Sequence, residues 1–459
     1  MVRGYLPVSS RTKYMDLFAI VLKMLRKYAL CDTCLGRQFA LLGHGVDNDE
    51  RGRMLKLGLL LHASELCYHK KHEGFEILKI LAQNALLKEA EMTLDYFGKH
   101  FSKQGPQKNC FLCADRFKLV EGFTEKLTSA LAEYEYSTFL VGIELPVNVE
   151  EREDEFKAEF KVVYGESIRH EFGRLFGKFL SDATHKTVDF KKPDLTIILN
   201  PFEETIRVQS NPLFIAGRYR KLVRNIPQST WFCSNCQGKG CDKCAGTGKM
   251  YPESVEELIS KPILAAAVGE KTAFHASGRE DIDARMLGKG RPFVVEVSKP
   301  KRRVLDLAAV EKEINESGKG KVSVSHLRVV TKELVGELKK AEGVQKEYRV
   351  LVEFEKDVDE ASLRLLEKQL TGAVIKQRTP LRVLHRRADL TREKYIYKVK
   401  VKKVSPNRVE LQILCQGGLY IKELVSGDEG RTMPSVSNML GIKAKPLRLD
   451  VLGVIAQNV

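Results

Sequence analysis

The chain has no hydrophobic run long enough to cross a membrane. Its longer apolar stretches, such as Phe18–Leu25, are interrupted by lysine and arginine well short of the roughly 20 residues that a membrane helix needs. The N-terminal sequence MVRGYLPVSSRTKY lacks the apolar segment of a secretory signal peptide. The phosphate-binding patterns GxxxxGK[ST] and GxGxxG are also missing. We therefore expect a cytoplasmic protein with no membrane partner, no nucleotide cofactor and no other organic cofactor.

Acidic residues are the minority among the charged ones. There are 60 Asp and Glu against 76 Lys and Arg, which gives a formal net charge of +16. This excess favours a polyanionic partner, most simply nucleic acid, although a basic protein without such a partner remains open on charge alone. The 459 residues, of which 43% are apolar, are enough for roughly two to four domains with their own cores, and they exclude disorder as the dominant state.

Eight of the ten cysteines form four Cys-x-x-Cys pairs. In a chain without a secretory signal, such pairs indicate zinc before they indicate disulfides. We expect two structural zinc ions, the first bound by Cys31, Cys34, Cys110 and Cys113, the second by Cys233, Cys236, Cys241 and Cys244. Two separate reduced pairs in a helical core remain open for the first set, and a reduced Gly/Cys-rich hinge for the second. The close spacing of the second set makes it the stronger signal.

Changes in hydrophobic periodicity predict a multidomain α+β fold with four segments. Residues 1–136 have helical spacing, residues 137–228 suggest a compact α/β unit, residues 229–250 contain the closely spaced cysteines, and residues 251–459 predict a domain with a mixed or antiparallel sheet. In the second segment we expect strands at Thr138–Leu145, Phe156–Tyr164 and Lys192–Leu199, with a helix at Glu166–Leu180.

Two segments concentrate positive charge. The first, Phe214–Asn225, surrounds Tyr219 with Arg218, Arg220, Lys221 and Arg224. The second, Gln377–Asp389, contains Arg378, Arg382, Arg386 and Arg387. In the first segment, cations beside an aromatic ring suit RNA phosphates and bases. In the second, the density of cations suits an RNA backbone, so we expect both segments to bind RNA. A solvated charged turn is the alternative for the first segment.

Two further segments carry candidate chemistry. Ser277–Phe293 contains three carboxylates and three arginines in a Gly-bounded stretch that predicts a loop, where catalytic groups tend to lie, or else a surface turn with weak ion pairs. Gly417–Ser435 follows a predicted strand whose one face includes Cys415, which places Tyr420 and Lys422 at the mouth of the domain.

These segments together resemble a known enzyme family. Gly-Arg-Glu-Asp at Gly278–Asp281 resembles the catalytic Gly-Arg-Thr-Asp motif of pseudouridine synthases, and Leu419–Leu424 resembles the Tyr-Ile-Arg motif of tRNA pseudouridine-55 synthases. With QRTPLRVLHRRAD, AGRYRKLVRNIPQ and the paired cysteines, the chain resembles the THUMP-containing tRNA pseudouridine synthases of archaea and eukaryotes that modify the TΨC arm. The resemblance makes residues 137–228 a THUMP-like RNA-binding domain, residues 229–250 a zinc knuckle and residues 251–459 the catalytic domain.

The resemblance also implies residue roles. Asp281 would be the nucleophile, with Asp283 as the fallback, and Lys422 would stand where related synthases place an arginine that pairs with the catalytic carboxylate. Arg279 and Tyr420 would contact substrate. Tyr348 would stack on the flipped uracil with its hydroxyl near C5, although the strand pattern alone favours a core tyrosine.

The expected function is isomerisation of uridine to pseudouridine at position 55, and also position 54, of tRNA by a monomer. The rival hypothesis is a zinc-containing RNA-binding protein or scaffold without chemistry. A carboxylate inside the most basic groove distinguishes the two, since a binder of RNA has no use for it.

Overall fold

The computed structural model describes residues 17–101, 108–339 and 344–455. Residues up to Gln209 form one compact unit, and residues from Ser210 form a second. In the described ranges, no helix has both the length and the apolar character that crossing a bilayer requires.

In the described part of the first unit, six α-helices come first. Their apolar residues recur at spacings of three and four, as in the first helix, which buries Val21, Met24 and Leu25 on one face. The helices are α1 (Leu17–Lys27), α2 (Asp32–Gly36), α3 (Asn48–Tyr68), α4 (His72–Asn84), α5 (Lys88–Tyr96) and α6 (Val120–Leu131).

The rest of the first unit is α/β. Its elements are β1 (Thr138–Ile143), α7 (Val147–Phe160), α8 (Ile168–Thr184), β2 (Thr187–Val188), β3 (Leu195–Asn200) and β4 (Thr205–Ser210). The sheet order is β2-β1-β3-β4, and β1 runs parallel to both of its neighbours. The predicted strand Phe156–Tyr164 is wrong, because residues up to Phe160 belong to α7. Val149, Glu153, Phe156 and Phe160 are buried at helical spacing, which the shorter alternating window did not show.

The second unit is built on a ten-stranded mixed sheet with helices. In chain order its elements are β5 (Leu213–Lys221), α9 (Val255–Ala267), β6 (Lys271–Ala276), β7 (Arg285–Ser298), α10 (Leu307–Ser317), β8 (Val322–Val330), α11 (Glu333–Lys339), β9 (Gln345–Phe354), α12 (Glu360–Leu370), β10 (Val374–Arg378), β11 (Thr391–Ser405), β12 (Arg408–Gln416), α13 (Ile421–Ser426), β13 (Thr432–Met433), α14 (Val436–Leu440) and β14 (Ala444–Ile455). The α+β multidomain prediction is confirmed.

The strand order is β13-β10-β11-β12-β9-β14-β7-β5-β8, and β6 also pairs with β7. The last strand, β14, therefore lies inside the sheet, antiparallel to β9 and parallel to β7. Leu449 of β14 packs in the core that includes α12–α14, whereas Val451 and Val454 pack in the core that includes α9 and α10. The last strand thus joins two halves of the sheet.

Two predicted boundaries differ from the structure. Leu213–Lys221 was expected in the THUMP-like segment 137–228, but this strand hydrogen-bonds to β7 and β8 and belongs to the second unit. The predicted loop Ser277–Phe293 ends early, because β7 begins at Arg285. Both errors arise because a strand's partners are distant in sequence.

Candidate active site

A cavity of about 930 Å³ opens in the second unit. Seven of the predicted site residues line it: Arg279, Asp281, Tyr348, Arg382, Arg387, Tyr420 and Lys422. Its only carboxylates among the described residues are Glu280 and Asp281, against nine cations: Arg279, Arg291, Lys339, Lys346, Arg382, Arg387, Arg392, Lys394 and Lys422. Such an excess of positive charge within low-dielectric walls attracts a polyanion.

The Asp281 carboxylate lies between two cations. The Arg382 guanidinium approaches both of its oxygens, with Nη1–Oδ1 at 3.3 Å and Nη2–Oδ2 at 3.2 Å, and Lys422 Nζ lies 3.3 Å from Oδ2. Arg382 is itself held by Glu423, whose Oε1 accepts from Nε at 2.6 Å. The expected partner, Lys422, is present, but the fork-shaped contact comes from Arg382. We expected Arg382 to bind RNA phosphate, and in this structure it is committed to two carboxylates.

The fallback nucleophile, Asp283, lies at the edge of this arrangement. Both of its oxygens accept hydrogen bonds from Lys422 Nζ, at 2.8 and 2.7 Å. Although burial alone would raise it, these hydrogen bonds lower the pKa of the Asp283 carboxyl. Its side chain is 59% exposed and does not line the cavity, whereas the Asp281 side chain is 31% exposed and does. The geometry favours Asp281.

A buried polar network fixes the loop before Asp281. Glu280 accepts from the Tyr219 hydroxyl at 2.9 Å and from Arg291 Nε at 3.0 Å, and all three residues are nearly inaccessible to solvent. Arg291 also donates to the Ser277 carbonyl at 2.7 Å, and Gln228 donates to the Tyr219 oxygen at 2.7 Å. This network could not be predicted from the sequence, because its members are ordinary residues until the fold brings them together.

The Asp281 loop is supported from the other side by residues that were expected to bind RNA. Lys221 is fully buried, and its ammonium donates to the carbonyls of Asp281 at 3.2 Å and Ile282 at 3.1 Å. Burial lowers the pKa of Lys221 to about 8. Arg224 donates to the Asp283 carbonyl at 2.7 Å. The prediction that Lys221 contacts RNA is wrong here, because a buried ammonium cannot reach an RNA backbone.

Two tyrosines and an arginine complete the cavity walls. Tyr348 is partly buried, and burial raises the pKa of its hydroxyl. Tyr420 immediately precedes α13, and the Arg382 guanidinium lies 5.9 Å from its ring centroid. Arg279 is exposed, with its guanidinium 5.8 Å from the ring of Trp231.

Two family models match the chain. The model for the Pus10 C-terminal region matches residues 214–455, and the model for the archaeal Pus10 THUMP domain matches residues 123–200. The chain belongs to the Pus10 family. The match to the C-terminal model begins at residue 214, inside β5, which agrees with the place of β5 in the second unit.

Curated relatives span nearly the full chain. The tRNA pseudouridine synthase Pus10 of Methanocaldococcus jannaschii is 45% identical over 95% of this chain and 94% of the relative. That of Methanothrix thermoacetophila is 40% identical over 96% and 94%.

Solved structures give weaker similarity. A Cbf5–Nop10–Gar1 complex has a TM-score of 0.29 at 17% identity and covers 52% of this chain and 48% of that chain. A pseudouridylate synthase has a TM-score of 0.19 at 15% identity, over 54% and 66%. The family assignment does not depend on these values.

The eight paired cysteines of this Pus10 family member form two compact groups, and in each the four sulfurs lie within 4.8 Å of one another. A tetrahedral ZnS₄ site with Zn–S bonds of about 2.3 Å places its sulfurs about 3.8 Å apart. Cys31 and Cys113 are 3.7 Å apart, and Cys233 and Cys241 are 3.8 Å apart. Both groups therefore fit a zinc ion, and the first group would join segments 82 residues apart.

The other arginines that were predicted to contact RNA differ in their exposure and in their partners. Arg218 is partly buried and donates to the Lys289 carbonyl at 2.8 Å, whereas Arg220 is exposed. Arg378 pairs with Asp389 at 2.7 Å. Arg387 is exposed and lines the cavity. The side chain of Arg386 lies outside the described residues, so that prediction has no structural counterpart.

Proposed function

We propose that this chain isomerises uridine to pseudouridine in the TΨC arm of tRNA, at position 55 and also at position 54. The observation that carries the proposal is the ion-paired Asp281 inside a cavity lined by nine cations and one other carboxylate, the buried Glu280. A carboxylate at this place weakens the attraction of the cavity for RNA, so its presence indicates a catalytic role and not a binding role. The names of the curated Pus10 relatives agree with this activity.

The reaction breaks the N1–C1′ bond, turns the base and forms a C5–C1′ bond, while the C5 proton is lost and N1 gains one. Asp281 would act as the nucleophile towards the uridine. Arg382 and Lys422 favour its ionised form and hold its oxygens in a fixed direction. We propose that the residues around the THUMP match contribute tRNA affinity and that the second unit selects the uridine.

Tyr348 would stack on the flipped uracil. Stacking offsets part of the unstacking cost, which is a few kcal/mol for a base leaving its helix. Because burial raises the pKa of its hydroxyl, Tyr348 is protonated at neutral pH before substrate binds. Stacking is therefore the role we propose, ahead of proton removal from C5.

Tritium release from an unmodified tRNA transcript labelled at C5 of uridine tests the proposal. We expect release with the native chain and none with Asp281→Asn, and mapping of the product should place pseudouridine at positions 55 and 54. Tight tRNA binding without tritium release would support the rival RNA-binding protein. Release with pseudouridine at other positions would retain the reaction and reject the assigned site.

A further inference from the structure

Two lysines that do not belong to the proposed catalytic group face the same cavity. Lys346 lies on β9, two residues before Tyr348, and Lys394 lies on β11. Both are partly buried and line the cavity. Among the described residues, neither ammonium has a carboxylate within ion-pairing distance. Partly buried cations without a counterion are unusual in proteins, because burial of an unpaired charge costs free energy.

Glycine backbone makes room for both ammonium groups. A Cβ on Gly278 would lie 3.1 Å from Lys346 Nζ, and a Cβ on Gly418 would lie 3.4 Å from Lys394 Nζ. Lys346 also runs along Gly417, where a Cβ would lie 3.6 Å from its Cε. The two lysine side chains thus lie against glycine backbone, next to the loop that carries Asp281.

The surrounding charges leave the two lysines uncompensated. Burial, with contributions from Arg291 and Lys394, lowers the pKa of Lys346 to about 8. The nearby carboxylates are already engaged, since Glu280 pairs with Arg291 and Asp281 pairs with other cations. An incoming anion would supply the missing counterion.

We propose that Lys346 and Lys394 form a subsite for a backbone phosphate of the RNA strand, adjacent to the flipped uridine. The inference rests on the proposed function. Uracil and ribose are neutral, so phosphate is the anion that an RNA strand brings into the cavity. Tyr348, the proposed stacking residue, lies two positions from Lys346 on the same strand, so side chains on one face would hold the base and its neighbouring phosphate.

Salt-dependent binding tests the subsite without requiring turnover. We would measure the affinity of Lys346→Gln, Lys394→Gln and the double variant for a TΨC stem-loop RNA over a range of KCl concentrations. The double variant should bind about ten-fold more weakly and lose about 0.7 from the slope of log K against log salt, which is the value for one single-strand phosphate contact. Lys400→Gln is the matched control, because this exposed lysine lies on β11 but does not line the cavity.

Replacing single phosphates of the RNA with uncharged methylphosphonates shows which phosphate the two lysines contact. Methylphosphonate substitution on either side of the target uridine should weaken binding to the native chain at one of the two positions. The same substitution should have no further effect on the double lysine variant, whereas a methylphosphonate deep in the stem should affect both proteins equally.

An unchanged salt slope in the double variant, or a methylphosphonate effect that persists in it, would overturn the subsite. So would a variant that loses rate at saturating RNA with unaltered affinity, since that result would assign the lysines to the reaction itself. A native chain that binds RNA by this subsite and forms no pseudouridine would reject the proposed function alone. Active native enzyme with unchanged slopes would reject the subsite alone.

Discussion

At the scale of single residues, Asp281 is held by two cations that differ in shape. Arg382 presents a planar fork to both oxygens, whereas Lys422 is a point charge that Asp281 shares with Asp283. The family resemblance indicated one basic partner for Asp281, which was Lys422. The ion pair with Arg382 spans 101 residues and depends on the short 3₁₀ helix Leu381–Arg386 that contains this arginine.

Asp281→Asn should abolish isomerisation and leave tRNA affinity within a few-fold. The substitution keeps the size of the side chain and removes the ionisable oxygen, while phosphate contacts remain. Single-turnover assays and binding measurements check both parts. Normal turnover would move the nucleophile role to Asp283, and Asp283→Asn is the matched control because its side chain lies outside the cavity.

Lys422→Ala and Arg382→Gln should each reduce the maximal rate by about 10²-fold, the usual cost of one lost charge-stabilising donor. Tyr348, Lys346 and Lys394 remain in both variants, so affinity should change little. Rates at saturating tRNA, measured beside dissociation constants, separate the two effects. Reduced affinity of Arg382→Gln with an unchanged rate would restore the original expectation that this arginine binds RNA.

The pKa of Lys346 predicts a pH dependence of RNA binding. Four groups act on this ammonium: Arg291, Lys394, Glu280 and Cys415. Because its pKa is lowered to about 8 from an ordinary value of 10.5, the charge is present at pH 7 and is lost as pH rises through 8. tRNA affinity should therefore fall between pH 7 and 9, and Lys346→Gln should show a shallower decline. Equal pH profiles for the two proteins would contradict the subsite.

At the scale of elements, β5 and the residues after it support the Asp281 loop. Their basic sequence suggested an RNA surface, but side-chain ammonium and guanidinium groups donate inward to loop carbonyls. Basic character alone does not distinguish the two uses, because either needs lysine or arginine. The alternation at the end of this strand, Gly217–Lys221, would have been the better signal, since Tyr219 and Lys221 are buried there and Arg220 is exposed.

Lys221→Met should lower the rate and the stability without altering the salt slope of tRNA binding. It removes donors to buried carbonyls, which costs about 1–3 kcal/mol per unsatisfied group. Arg220→Gln is the control, because Arg220 is exposed on the same strand. Thermal unfolding, single-turnover rates and salt titrations provide the three readouts. A reduced salt slope for Lys221→Met would return this residue to the RNA surface.

Part of the second unit could be predicted, because some of its strands alternate cleanly. Gln345–Phe354 and Arg408–Gln416 alternate in the sequence and form β9 and β12 with these bounds. The failures have two causes. Phe156–Tyr164 was judged on a window too short to show the helical spacing that begins at Val149. The THUMP-like boundary depended on which distant segments pair with β5, and local periodicity does not carry that information.

At the scale of the whole molecule, metal content is the simplest test of the cysteine groups. We expect two zinc ions per chain in reducing buffer. Cys110→Ser should unfold the first unit, since the metal there links segments distant in sequence and its binding energy becomes folding energy. Cys241→Ser should disturb only the local knuckle, whose ligands all lie between Cys233 and Cys244. Elemental analysis and thermal unfolding of both variants check this, and metal-free native protein would reject the assignment.

The position of β14 has a consequence for synthesis. The loop with Asp281 precedes β7 on one side of β14, and Arg382 and Lys422 belong to the β9–β12 side. A nascent chain that has not reached Ala444 therefore contains every proposed catalytic group in two half-sheets without their shared strand. Such long-range strand insertion is slow compared with local folding. We therefore expect the ion pair around Asp281 to form only after β14 enters the sheet, and a chain truncated before Ala444 should have no catalytic activity.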